Sequence, residues 1–291
     1  SVNVAIVQRD LGAVALAEAA YSEATRALRE VGDRRAEAIG LANLGVLSLS
    51  TGDMPAAASR LEAAVAMHRR FGARHSLANA LGNLGLVLRE LGRPDEAAQR
   101  YEEAERLNRQ ADDRRGLGIV LGNLAQLDAD CGNFELAYAR WDEALALHRA
   151  SGNLPSESIA LSNRGRASLA RGDVARATAD LEGALAVADR TGSRGLVGAA
   201  HVALGRLARL TGRTLDAVRH LAAAQDHLDG VPTAISDLVE VRAELGLTAV
   251  NGSLAVARAE LAAAEQLLGP RKLLRPAAVV AELRRAVSAD R

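Results

Sequence analysis

Aligned against itself at an offset of 40 residues, the chain repeats. Glycine recurs at Gly12, Gly52, Gly92, Gly132, Gly172, Gly212 and Gly252. Alanine follows five residues later each time, at Ala17, Ala57, Ala97, Ala137, Ala177, Ala217 and Ala257. A large residue comes next, at Tyr21, Leu61, Tyr101, Trp141, Leu181, Leu221 and Leu261, and then a second alanine, from Ala24 through Ala64, Ala104, Ala144, Ala184 and Ala224 to Ala264. Seven matches without insertion or deletion identify a repeat architecture, in which each unit buries its apolar face only against its neighbours.

Each unit reads as two helices. In the second, AEAIGLANLGVLSLS places Leu41, Leu44, Gly45 and Ser48 on one face at spacings of three and four. Gly52 ends that helix in the left-handed conformation, and Asp53 caps the next. The second helix, MPAAASRLEAAVAMHRR, is expected to bury Ala57, Leu61, Ala64 and Met67. Asp33, Asp113, Asn153 and Ser193 are expected to cap the first helices of their units. Composition agrees. The chain holds one Trp, three Tyr and two Phe, too few aromatic residues for a sheet-rich core, while Ala and Gly at helix crossings let backbones approach closely.

The set Leu41, Leu44, Gly45, Ala57, Leu61 and Ala64, matched by Leu81, Leu84, Gly85, Ala97, Tyr101 and Ala104, resembles the tetratricopeptide repeat in a long form of about 40 residues. The resemblance runs from Asn3 to about Leu268. It implies an all-α fold, a right-handed superhelical solenoid of antiparallel helix pairs. The expected content is about six complete units, an N-terminal partial unit and a C-terminal capping helix. Repeats are assigned to residues 1–270 and the capping helix to 271–291, with Val279, Val280 and Leu283 covering the end of the core. In the last unit Glu244 and Leu245 fall in the Leu and Gly slots, as expected of an eroded end repeat. Arg164 replaces a core Leu and must extend outward or find a partner. Only half a helix pair precedes Gly12, so the chain reads as starting inside a repeat of a longer parent.

The resemblance also implies that the first helices line the concave side. The face beside the core carries Ile39, Asn43, Val46 and Ser50, stacked at helical spacing. Equivalent stripes hold Asn79, Asn83, Leu86 and Glu90, then Ile119, Asn123, Gln126 and Asp130, then Ile159, Asn163, Arg166 and Ala170, and lastly Ala199, Ala203, Arg206 and Leu210. Asn therefore forms a ladder: Asn3, Asn43, Asn83, Asn123, Asn163. An amide offers both a donor and an acceptor, so one rung can pair with the N–H and C=O of an extended peptide. Tetratricopeptide proteins that bind extended peptides use Asn at the matching position. Alternatively, the rungs tie adjacent helices through backbone carbonyls. Arg166 and Arg206 make the later repeats basic, Ile39, Val46 and Leu86 make the earlier ones apolar, and Glu90 and Asp130 are acidic. The expected partner is thus a protein or extended peptide with apolar and acidic residues; for the arginines, local pairing with Glu or Asp is the alternative.

Other chemistry is expected to be absent. Lys and Arg number 36, as do Asp and Glu, which gives no general reason for nucleic acid or anionic membrane as partner. Cys131 is the single cysteine, so a reducing, cytoplasmic setting is expected, with the side chain partly buried and not a nucleophile. No membrane span or secretory leader is expected. His68 and His148 share one slot two repeats apart, and His220 and His227 lie two turns apart without accompanying ligands, so neither metal nor cofactor is expected. The sequence thus reads as a non-catalytic binding scaffold, a regulatory or sensing part of a larger bacterial protein. A self-association module is the alternative; a helical-repeat enzyme is a remote one.

Overall fold

A computed structural model describes residues 14–231, 234–250, 252–269 and 274–289. Asn3 and Gly12 lie outside the described residues. Fourteen α-helices and no strand occur among those described, and the chain divides into two compact units, Ser1–Leu147 and His148–Arg291.

The first unit contains α1 (Val14–Glu30), α2 (Arg34–Thr51), α3 (Met54–Arg70), α4 (Arg74–Glu90), α5 (Pro94–Gln110), α6 (Arg114–Asp130) and most of α7 (Phe134–Ala150). Pairs form as the repeat requires, α2 with α3 and α4 with α5. The small slot works by steric fit. A Cβ on Gly45 would stand 2.6 Å from Leu61 Cγ, and one on Gly85 would stand 2.6 Å from Tyr101 Cε1. Tyr21, Tyr101 and Trp141 are fully buried, each flanked along its helix by fully buried alanine: Ala17, then Ala97 and Ala104, then Ala137 and Ala144. In α3, however, His68 enters the core and Met67 is only half-buried.

The second unit contains α8 (Leu154–Ala170), α9 (Val174–Thr191), α10 (Arg194–Leu210), α11 (Thr214–Leu228), α12 (Ile235–Ala249), α13 (Leu254–Leu268) and α14 (Leu274–Ala289). α14 packs on α12 and α13, burying Val279, Val280 and Leu283 beside Ala257 and Ala264.

Turn chemistry follows the sequence closely. The side chains of Asp33, Asp53, Asp113, Asn153 and Ser193 each accept from the backbone N–H three residues on. Gly52 closes α2 at φ 81°, donating to the Leu49 carbonyl, with the neighbouring Asp53 N–H reaching Ser48 O.

A local register shift alters the reading of the last repeat. Leu245 and Gly246 fill the Leu and Gly slots, one residue later than the 40-residue offset requires. A Cβ on Gly246 would lie 2.5 Å from Leu283 Cδ2 and 3.2 Å from Glu260 Cβ, so the position needs a glycine, although its nearest neighbour is on α14 and not at the large slot of α13. AELGL (243–247) thus matches ANLGV (42–46), with Glu244 at the position of the Asn rung. Counted along the chain, Leu245 stands 21 residues after Ala224 where Leu204 stands 20 after Ala184, and Gly246 stands 11 before Ala257 where Gly205 stands 12 before Ala217, so Ala257 and Ala264 return to register.

Candidate functional site

Within each unit the first helices of successive pairs touch one another directly, α2 with α4, α4 with α6, α8 with α10 and α10 with α12, and more extensively than the second helices do. The stripe predicted from sequence lies on this first-helix face. Ile39, Ile119 and Ile159 are 47%, 43% and 48% exposed, too much for core residues. Val46 and Leu86 are half-buried beside them.

Asn43, Asn83 and Asn123 in the first unit and Asn163 in the second are all half-buried. None of these four amides has a hydrogen-bond partner within the described protein, whereas the serines at helix ends and the capping Asp and Asn residues do. An amide held on a rigid helix, partly out of water and without a protein partner, retains both donor and acceptor for something else. Among the described residues these four amides make no backbone bond of the kind a structural rung requires.

The charged residues of the stripe behave differently. Glu90 accepts from Arg89 Nη2 at 2.8 Å, and Gln126 Nε2 donates to Asp130 at 2.8 Å, with Arg89 3.7 Å from Asp130. In the second unit Arg166 lies 3.2 Å from Glu240, Arg206 3.6 Å from Glu244, and Arg209 2.6 Å from Glu244 and 3.3 Å from Glu282. Glu240 and Glu244 are each 1% exposed. The basic character expected of the later repeats is therefore neutralised from within, by carboxylates that α12 places on the same face. Burial raises the Glu244 pKa, with Arg209 and then Arg206 opposing it. Arg164, the charge at a core position, is held by Asp180 at 2.9 and 2.6 Å.

A pocket of about 400 Å³ opens on this face in the second unit, between α8 and α10 and beside the segment leading to α12. Asn163, Ile159 and Arg166 line it, together with Ala199 and Leu196. Sequence reading placed Asn163 on the stripe but gave no sign of a cavity next to it.

Histidines also meet in a way the sequence did not suggest. His201 occupies the slot of Leu41 in its repeat. Its Nδ1 lies 3.0 Å from His220 Nδ1, one of the two nitrogens donating, and its ring stacks on His227 at 5.9 Å. Burial lowers the pKa of both His201 and His220, and the neighbouring cations add to the effect. Among the described residues no group of three or more His, Cys, Asp or Glu has the geometry to hold a metal ion. Cys131 is exposed, not partly buried, and desolvation of its sulfur together with Asp130, Asp128 and Asp95 pushes its pKa up, away from the reactive thiolate. No helix among the described residues is long and apolar enough to cross a membrane.

Known proteins agree with the fold. The family profile described as tetratricopeptide repeat matches residues 37–110, and that of anaphase-promoting complex subunit 5 matches residues 1–39. No curated protein sequence matches the chain. Among solved structures, the apo form of RapI is similar at TM-score 0.69 and 11% identity, covering 98% of this chain and 96% of that one. The Rap conjugation gene regulator of plasmid pLS20, in complex with the Phr* peptide, is similar at TM-score 0.69 and 14% identity, covering 98% and 74%. A Rap protein complexed with Competence and Sporulation Factor gives TM-score 0.67 at 14% identity, covering 100% and 98%. The chain is thus a tetratricopeptide-like array of stacked helix pairs; identities this low speak to fold alone.

Proposed function

We propose that this chain is a non-catalytic scaffold that holds extended polypeptide along its first-helix face, as a regulatory or sensing part of a larger protein. The observation that carries this reading is the set of half-buried amides without protein partners, Asn43, Asn83, Asn123 and Asn163, at one position of successive first helices. Each rung offers a peptide group both bonds it needs, and the adjoining Ile39, Ile119 and Ile159 supply apolar surface between rungs. Arg166 and Arg206 contribute to the face through their pairs with Glu240 and Glu244, and Glu90, Gln126 and Asp130 border it. The fold is shared with a Rap protein whose structure contains the Phr* peptide and another containing Competence and Sporulation Factor, which supports the reading by analogy.

The test is retention on an immobilised library of degenerate dodecapeptides. Wild-type protein should be retained, and the Asn83→Ala/Asn123→Ala variant should be retained at least about tenfold less, since two amide pairs with a peptide backbone are lost. Equal retention of the two proteins refutes the ladder as the binding element.

A further inference from the structure

The pocket beside Asn163 results from two omissions in the repeat. On the other first helices, the stripe position equivalent to Ala199 holds Ile39, Asn79, Ile119 and Ile159; one turn earlier, the position of Gly195 holds Arg35, His75, Arg115 and Pro155. α10 alone among them carries Gly and Ala there, one turn apart on the same face. Both residues line the cavity. A Cβ built on Gly195 meets only Val231 at 3.9 Å and Ser193 at 4.0 Å, so the missing side chain is not a packing requirement.

The polar groups around the opening are mostly committed. Ser158 Oγ donates to the Ala184 carbonyl at 2.9 Å, Ser193 Oγ caps Leu196 N–H, and Arg166 lies 3.2 Å from Glu240. Asp237 and Arg166 both line the cavity, and with Arg166 paired to Glu240 the charges of opposite sign leave no net attraction for a carboxylate or an ammonium. Ile159, Leu196 and Val231 form apolar walls. The Asn163 amide, at the edge, has no protein partner. At about 400 Å³ the cavity lies within the roughly 300–1,000 Å³ range of clefts that take a ligand group.

We infer that this pocket is a specificity site for one bulky, uncharged apolar side chain, of the leucine or phenylalanine class, on an extended peptide whose backbone pairs with Asn163. This rests on the peptide-binding reading of the first-helix face. It differs from the sequence expectation in the chemistry of the partner: the second unit selects an apolar residue, and its arginines do not serve an acidic one.

The experiment uses the full chain and acetylated, amidated pentapeptides Ala-Ala-X-Ala-Ala with X as Leu, Phe, Ala, Asp or Lys. NMR follows the methyl groups of Ile159, Leu196 and Val231 and the side-chain amide of Asn163. The Leu and Phe peptides should shift the three methyl-bearing residues at least about tenfold more tightly than the Ala, Asp or Lys peptides. Ala199→Ile, which restores the residue of three other repeats, should abolish that preference while the Asn163 amide still responds. Gly195→His, which copies the residue at position 75, should act in the same direction if Ala199→Ile proves unstable. Equal binding of the Asp peptide, or an intact Leu preference in Ala199→Ile, overturns the pocket while leaving the peptide face standing. A silent Asn163 amide alongside responsive methyls refutes the peptide track instead, and silence at both refutes both.

Discussion

Replacing Asn83 and Asn123 by Ala separates the two accounts of the ladder by the sign of a stability change. Both residues lie in the interiors of long helices, α4 and α6, where Asn is disfavoured relative to Ala by about 0.5 kcal/mol. Neither side chain makes a hydrogen bond within the protein, so truncation removes none, and the Cβ that remains keeps its contacts. The double variant should therefore gain about 1 kcal/mol. Were the amides tying helices together, each would forfeit a hydrogen bond worth about 1 kcal/mol, and the balance would be a loss of about 1 kcal/mol. Urea unfolding at 25 °C, followed by helical circular dichroism, resolves a difference of that size. The midpoint of the transition containing the first unit should rise by about 0.5 M at an unchanged slope. A fall of similar size would refute the free-rung geometry, whatever the protein binds.

Gly85→Ala should destabilise by about 2 kcal/mol through overpacking, because the new Cβ would sit 2.6 Å from the Tyr101 ring; chemical denaturation measures it. Arg209→Met leaves Glu244 buried without its 2.6 Å partner and should cost about 3 kcal/mol, while the further change Glu244→Leu should recover most of it, as a double-mutant cycle would show. Burial lowers the pKa of His68 and His148 in the folded chain, so the unfolded chain binds more protons below its own pKa near 6.5. Stability from these residues is present above that pH and is lost as pH falls towards their depressed folded values. Melting temperatures at pH 7.5 and 5.5 should show the fall, and His68→Leu/His148→Leu should flatten it.

The repeat was legible because its constraints are local and geometric. Gly45 and Gly85 recur where a large side chain of the partner helix fills the space a Cβ would take, and the caps depend on a bond to a residue three positions on. The charge pairing was not legible, since Arg166 meets Glu240 and Arg209 meets Glu282 across 74 and 73 residues of sequence. The offset of 40 concealed the shift in α12 because Gly252 and Ala257 on its far side stay in step. That same shift turned Glu244 from an apparent core defect into the carboxylate that neutralises two arginines. His201 was overlooked because it stands in a leucine slot, and spacing along one helix showed only His220 and His227. The pocket left a trace that could have been found: Ala199 and Gly195 are small where the other stripes are large. A scan for recurring features of the repeat passes over residues that stand out by omission.

The central claim is that the Asn amides of the first-helix face bond peptide backbone. Its most direct test records the side-chain amide resonances of Asn43, Asn83, Asn123 and Asn163 while a peptide retained from the dodecamer library is added. Within the first unit the NH2 pairs of Asn43, Asn83 and Asn123 should shift together and saturate with the same dissociation constant. If the peptide binds, and saturates shifts elsewhere, while the four amides stay where they are in the free protein, the ladder is not the binding element.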